Sequence, residues 1–276
     1  MRRDPKLALL GAFACLYGLL ATGAIALLSP TAQAGDRATL NGFVSLNHGR
    51  AADVATWLTH LCDPPTYGLF GAILVAVALA RRRRRVALVV PVVLVGAEVT
   101  TQVLKPLLAT DGRGAEWLQS NIGNASWPSG HATAALALAL CAVLVSPARL
   151  RPIVAFLGAV FAVAVSYAIL VLAWHFPSDV LGGFLVASLW SLLAVAALLS
   201  WERHRPTASV QPRAGELWPV ELAGAAAAGL LLVLLAARPA AFATFAADHT
   251  TTLAALTAIG ALALACAGGM VRALRG

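Results

Sequence analysis

Apolar runs close to the length of a membrane crossing recur along this chain, at residues 7–28, 65–80, 86–108, 132–145, 153–174, 180–200, 217–236 and 251–270. A helix needs about 20 apolar residues to cross the hydrocarbon core, and no other open structure satisfies its backbone there. The pattern therefore predicts an all-α membrane protein with eight spans. With 60% hydrophobic and only 12% charged residues, the chain carries about half the charge of a soluble domain. The first run follows a basic start, and Ala32-Gln33-Ala34 resembles a signal cleavage site. Its length exceeds the core of about 7–15 residues that signals use, so a retained first helix is expected.

Charge distribution tests the count of spans. With the N-terminus inside, fifteen of the twenty Lys and Arg fall in inner segments, among them Arg81 to Arg85, Arg149, Arg151, Arg203 and Arg272; only Arg37, Arg50, Lys105, Arg113 and Arg238 fall outside. That asymmetry predicts cytoplasmic termini in a multi-pass plasma-membrane protein. The same placement accounts for the net charge of +8 without a nucleic-acid partner, because the basic residues sit in short runs between apolar segments. Cys15, Cys141 and Cys266 lie within apolar runs and Cys62 stands alone, a spacing that fits neither a disulfide framework nor a zinc site. Three units follow: residues 1–200 as a six-helix core, 201–216 as a cytoplasmic linker rich in Arg and Pro, and 217–276 as a terminal pair of helices. Near residues 50–61, the stripe Val54, Trp57, Leu58 and Leu61 predicts an amphipathic helix lying at the membrane surface.

Against this background two polar islands stand out, Trp127-Pro128-Ser129-Gly130-His131 and His175-Phe176-Pro177-Ser178-Asp179. At about 1.5 Å per residue, Lys105 lies roughly 30 Å along its helix from Arg85, and His175 a similar distance from Arg151. His131 and Asp179 open the next helices at the same level. Lys105, Arg113, His131, His175 and Asp179 thus reach one depth at the outer boundary, where clustered ionisable groups mark a functional site. Pro128 suits a first helical turn, Ser129 a cap, and Gly130 close approach of a ligand, so the exposed N–H groups are placed to hold an anion. His175 and Asp179 are four apart, and a carboxylate on one ring nitrogen fixes the tautomer of the other.

Taken in order, these residues resemble the type 2 phosphatidic acid phosphatase superfamily, also called the lipid phosphate phosphatases. Pro128-Ser129-Gly130-His131 matches the family's central motif, and His175 with Asp179 matches its last. The resemblance covers about residues 7–200 and implies a six-helix core. It further implies that His175 is a nucleophile forming a phospho-histidine, that Asp179 orients it, and that His131 serves as acid and then base. Lys105, Arg113, Ser129 and Gly130 are implied as the phosphate cradle. No metal or other cofactor is implied, and the partner is a membrane lipid phosphate met at the outer face. Polyprenyl diphosphate or a phospholipid phosphate is the expected substrate.

Two positions depart from the family pattern. Arg113 falls one residue later than the family's arginine, and Ile169 occupies the place of an arginine six residues before His175. A phosphotransferase using the same intermediate stays open, and the loss at Ile169 keeps open a non-catalytic binder or transporter of lipid phosphates. Glu98, on the helix face of Lys105 but about 10 Å below it, is expected to be structural. Trp117, Trp127 and Trp174 are expected as interfacial anchors.

Overall fold

The computed structural model describes residues 5–110, 122–204 and 239–274, and what it describes is helical. The elements are α1 (Pro5–Leu28), α2 (Pro30–Val44), α3 (Gly49–His60), α4 (Pro64–Ala80) and α5 (Arg84–Leu107), then α6 (Gly130–Val145), α7 (Arg151–Val171), α8 (Pro177–His204), α9 (Pro239–Asp248) and α10 (Thr250–Ala273). Five of them, α1, α5, α7, α8 and α10, are long and apolar enough to cross a membrane. A sixth crossing follows if α3 and α4, bent by 54° at their junction, are one broken span. The run at 217–236 and nearly all of the expected 201–216 linker lie outside the described residues.

The centre of the bundle is α6. It is apolar around its whole circumference, and every residue in it except His131 and Ala142 is buried, as expected of a helix with no outward face. It touches α4, α5, α7, α8 and α10. At 16 residues it is about 24 Å long, shorter than its neighbours because both ends stop beneath polar loops. Small residues let the helices approach. A side chain at Gly158 of α7 would stand 2.8 Å from Ala139 Cβ, and one at Gly96 of α5 would meet the Trp190 ring of α8 at 2.8 Å. Close backbone contact of this kind replaces the hydrophobic drive that helices lack in lipid. The outward faces are apolar instead: Phe13, Tyr17, Leu88, Val92 and Val99 are all exposed.

Capping sets where the segments at one end of the bundle begin. Ser29 caps α2, its Oγ accepting the Ala32 N–H at 3.3 Å with Pro30 in the first turn, and Ser129 caps α6 through the Ala132 N–H, also at 3.3 Å. A helix, α3, covers the segment predicted near residues 50–61, with Val54 and Trp57 exposed and Ala55 and Thr59 buried, and it contacts α7. The helix α2 was not foreseen from the sequence. It packs on α10, where the Thr252 hydroxyl donates to the Thr39 carbonyl at 2.8 Å. A second clamp holds α10 to α7, from the Tyr167 hydroxyl to the Leu256 carbonyl at 2.6 Å.

Candidate active site

The two polar islands meet at one end of the bundle. Their junction is a backbone hydrogen bond, from the Ser129 N–H to the Asp179 carbonyl at 2.9 Å. Two glycines permit it. A Cβ on Gly183 would lie 2.7 Å from the Ser129 carbonyl oxygen and 2.9 Å from Thr133 Oγ1, and one on Gly182 would lie 2.8 Å from Trp127 Nε1. The first turn of α8 is thereby seated directly on the start of α6. Trp127, expected as an interfacial anchor, is instead buried at 3% exposure between Gly23 of α1 and Gly182 of α8. The peptide bond between Trp127 and Pro128 is cis.

His175 stands just before α8 and Asp179 lies in its first turn, so their contact arises at a helix start rather than along a helix face. Asp179 is fully buried, and its Oδ2 lies 3.3 Å from His175 Nδ1 while accepting the Phe176 N–H at 3.0 Å. One carboxylate oxygen caps the helix and orients the ring. The outer end of the same turn is held by Asp36 of α2, which accepts both the Ser178 N–H at 3.2 Å and the Ser178 hydroxyl. Nothing in the sequence pointed to Asp36.

His131 occupies the first turn of α6, its ring centroid 5.6 Å from that of Trp174. Its Nε2 is buried with no hydrogen-bond partner among the described residues. Three charged or titratable neighbours act on it: His175, Asp63 and Lys105. Asp63, between α3 and α4, brings Oδ1 to 3.6 Å from that Nε2, and its other oxygen lies 2.7 Å from His60 Nδ1. The hydrogen bond from His60 holds the Asp63 carboxyl below its usual value, outweighing the opposing effect of burial.

On the far side of Gly130 lie three side chains of α5. A Cβ there would stand 3.7 Å from Lys105 Nζ, 3.7 Å from Gln102 Nε2 and 3.8 Å from Glu98 Oε1. Glu98, placed by the sequence among structural groups, therefore reaches the same point as Lys105, steadied by Gln102 Nε2 at 2.6 Å. His131, His175, Asp179, Lys105, Ser129 and Gly130 are brought together; Arg113 and Trp117 lie outside the described residues. Ile169 is fully buried in the apolar core, its carbonyl accepting the Trp174 N–H at 2.9 Å. Among the described residues no group of three or more His, Cys, Asp or Glu is arranged to hold a metal ion.

This combination of a helical membrane bundle and two joined histidine motifs agrees with a family-wide comparison. The family model of the PAP2 superfamily matches residues 41–203, and the chain belongs to that superfamily. Among solved structures, the first transmembrane PAP2 type phosphatidylglycerolphosphate phosphatase from Bacillus subtilis is similar, with a TM-score of 0.54 and 21% sequence identity over 72% of this chain and 98% of that one. At that identity the likeness establishes the shared fold. No curated protein matches the chain.

Proposed function

We propose that the protein hydrolyses a lipid phosphate or diphosphate through a phospho-histidine, with polyprenyl diphosphate or a phospholipid phosphate as substrate. The observation that supports this reading is the junction of Ser129 with Asp179, by which the start of α6 adjoins the turn where Asp179 faces His175. Because Asp179 faces Nδ1 of His175, Nε2 is the nitrogen left to attack phosphorus. In the first step the Nε2–P bond forms and the P–O bond to the lipid breaks. His131 Nε2 gives its proton to the departing oxygen, releasing an alcohol from a monoester or a lipid monophosphate from a diphosphate. In the second step water attacks phosphorus, His131 takes the water's proton, and the N–P bond breaks to free inorganic phosphate and His175.

Lys105 and the N–H groups at the start of α6 stabilise the charge on the phosphoryl oxygens, the largest contribution a site of this kind makes. Arg113 is assigned to the same cradle. Asp63 Oδ1, 3.6 Å from the nitrogen that exchanges the proton, favours its charged form electrostatically. The distribution of Lys and Arg supports cytoplasmic termini and a site on the outer face.

The test is phosphate release by the purified full chain, with chelator present, from polyprenyl diphosphate, phosphatidate and phosphatidylglycerophosphate. Turnover in the wild type that is lost in both His175→Ala and His131→Ala supports the hydrolase. Absence of release from every substrate, with lipid phosphate still bound, would replace it with a transferase lacking its acceptor or with a binder, the reading that the apolar Ile169 favours.

A further inference from the structure

The turn that carries Asp179 is held from outside the residues that the superfamily model matches. That match spans residues 41–203, whereas Asp36, acceptor of the Ser178 N–H and hydroxyl, precedes it and α10 follows it. Asp36 uses one carboxylate oxygen for each bond, so α2 cannot shift along or across the start of α8 without disturbing at least one of them. The neighbouring contact has little slack. His175 Nδ1 and Asp179 Oδ2 stand 3.3 Å apart, at the long end for a hydrogen bond, and a displacement of a few tenths of an ångström makes or breaks it.

The position of α2 is set by α10. Thr252, fully buried, donates its hydroxyl to the Thr39 carbonyl at 2.8 Å, one helical turn from Asp36. Gly42, a turn further on, leaves that hydroxyl its space: a Cβ there would overlap Thr252 Oγ1 and lie 3.1 Å from His249 Cβ. Leu40 and Phe43, both buried, follow Asp36 at the i, i+4, i+7 spacing of one helix face. The Phe43 ring lies 5.8 Å from that of Tyr167 in α7, whose hydroxyl is bound in turn to the Leu256 carbonyl of α10 at 2.6 Å. Asp36 and Thr39 are separated by about 4.5 Å of helical rise, so a movement imposed at Thr39 is delivered to Ser178.

We propose, on the reading of His175 and Asp179 as the catalytic pair, that α10 is a working part of the catalytic site: by seating α2 it places Asp36 against Ser178 and so sets the geometry of that pair. Asp36 and Thr252 are positioning residues, acting through Ser178 and Thr39. A helix that only flanked the bundle would need neither a buried hydroxyl bonded to α2 nor a glycine beneath that hydroxyl.

The experiment takes two readouts from the purified full chain, phosphate release and the nitrogen NMR spectrum of the histidine rings, with His175 assigned by His175→Ala. At a pH where the ring is neutral, the wild type carries its proton on Nδ1. Gly42→Ala, which drives α2 off α10, is expected to lower kcat about tenfold or more with KM nearly unchanged, and to mix the two tautomers of His175. Thr252→Val, which removes the hydroxyl at constant shape, should do the same more weakly, and Thr252→Ser should restore the wild-type values. Gly158→Ala is the control for general destabilisation, since its Cβ strains α7 against Ala139 at 2.8 Å, about 20 Å along α7 from the site end; it should lower the melting temperature and leave the tautomer alone. Wild-type kcat and tautomer in folded Gly42→Ala and Thr252→Val overturn the proposal, as does an equal tautomer change in Gly158→Ala. Should Gly42→Ala fail to fold, Thr252→Val against Thr252→Ser decides it. If the wild type releases no phosphate, the catalytic reading falls, and the tautomer comparison still decides whether α10 sets the turn. A wild type without the Nδ1 proton overturns both.

Discussion

Asp179 Oδ2 lies 3.3 Å from His175 Nδ1 and accepts the N–H of the intervening Phe176 at 3.0 Å, so a single buried oxygen orients the ring and ties down the backbone that carries it. Position and charge are supplied by the same atom, and the two can be separated by substitution.

Asp179→Asn keeps the shape and removes the charge. The turn is retained while the imidazole loses the carboxylate that fixes its tautomer, and kcat is expected to fall by about 10² to 10⁴ with KM nearly unchanged. Steady-state phosphate release reads this directly. A kcat close to wild type would remove Asp179 from the mechanism.

Gly183→Ala is expected to damage both stability and activity. The new Cβ would stand 2.7 Å from the Ser129 carbonyl oxygen, forcing α8 off the start of α6 at a cost of about 1–3 kcal/mol. Gly269→Ala is the control, since nothing lies within 4 Å of its added methyl group. Thermal unfolding of the two variants in the same detergent should separate them clearly, and equal midpoints would contradict the close packing described.

Asp36→Ala removes the acceptor of the Ser178 N–H and hydroxyl. Loss of a cap of this kind costs about 1 kcal/mol, and because the same turn carries Asp179, activity should fall with stability. Asp36→Asn, which retains one acceptor, should recover part of both. Full activity in the Ala variant would show that α2 plays no part in holding the site.

The contribution of Asp63 depends on pH with a definite sign. Its folded carboxyl titrates below the ordinary 3.8 because His60 donates to it. The stability gained is fully present above that ordinary value and is lost as pH falls through the lower folded one. The difference in melting temperature between wild type and Asp63→Asn should therefore be steady from about pH 7 to 5 and shrink below about pH 4. It will be small, since Asp63 is 40% exposed and solvent screens the pair. A difference that grows on acidification would refute the assignment.

Much of this architecture is legible in the residue order. The apolar runs mark α1, α4, α5, α6, α7, α8 and α10 to within a few residues, because hydrocarbon burial leaves the backbone no alternative to a helix. Counting residues along those helices brings Lys105, His131, His175 and Asp179 to one level, and local chemistry foretells the Ser129 cap. What escapes is long-range or aperiodic. The α2 segment, residues 30–44, is a mixture of small and polar residues without an apolar stripe; its helix rests on packing against α10 and on Asp36. That carboxylate meets Ser178 across 142 residues of sequence, and Asp63 comes close to His131 from a different helix junction; no local pattern encodes either pairing. Trp127 reads as an interfacial residue by type, but Gly23 and Gly182 open a slot that buries it. Glu98 is far from Lys105 along the helix axis, yet two long side chains converge on the space that Gly130 leaves open.

The bond from the Ser129 amide to the Asp179 carbonyl uses no side-chain atom. Sequence drift in either motif can therefore strip away a functional group without altering the register between the two motifs, proline at 129 being the exception because it has no N–H. A member of this superfamily whose motifs have drifted still inherits an aligned frame. New substrate preferences can then arise by changing what surrounds the frame, with no need to rebuild it.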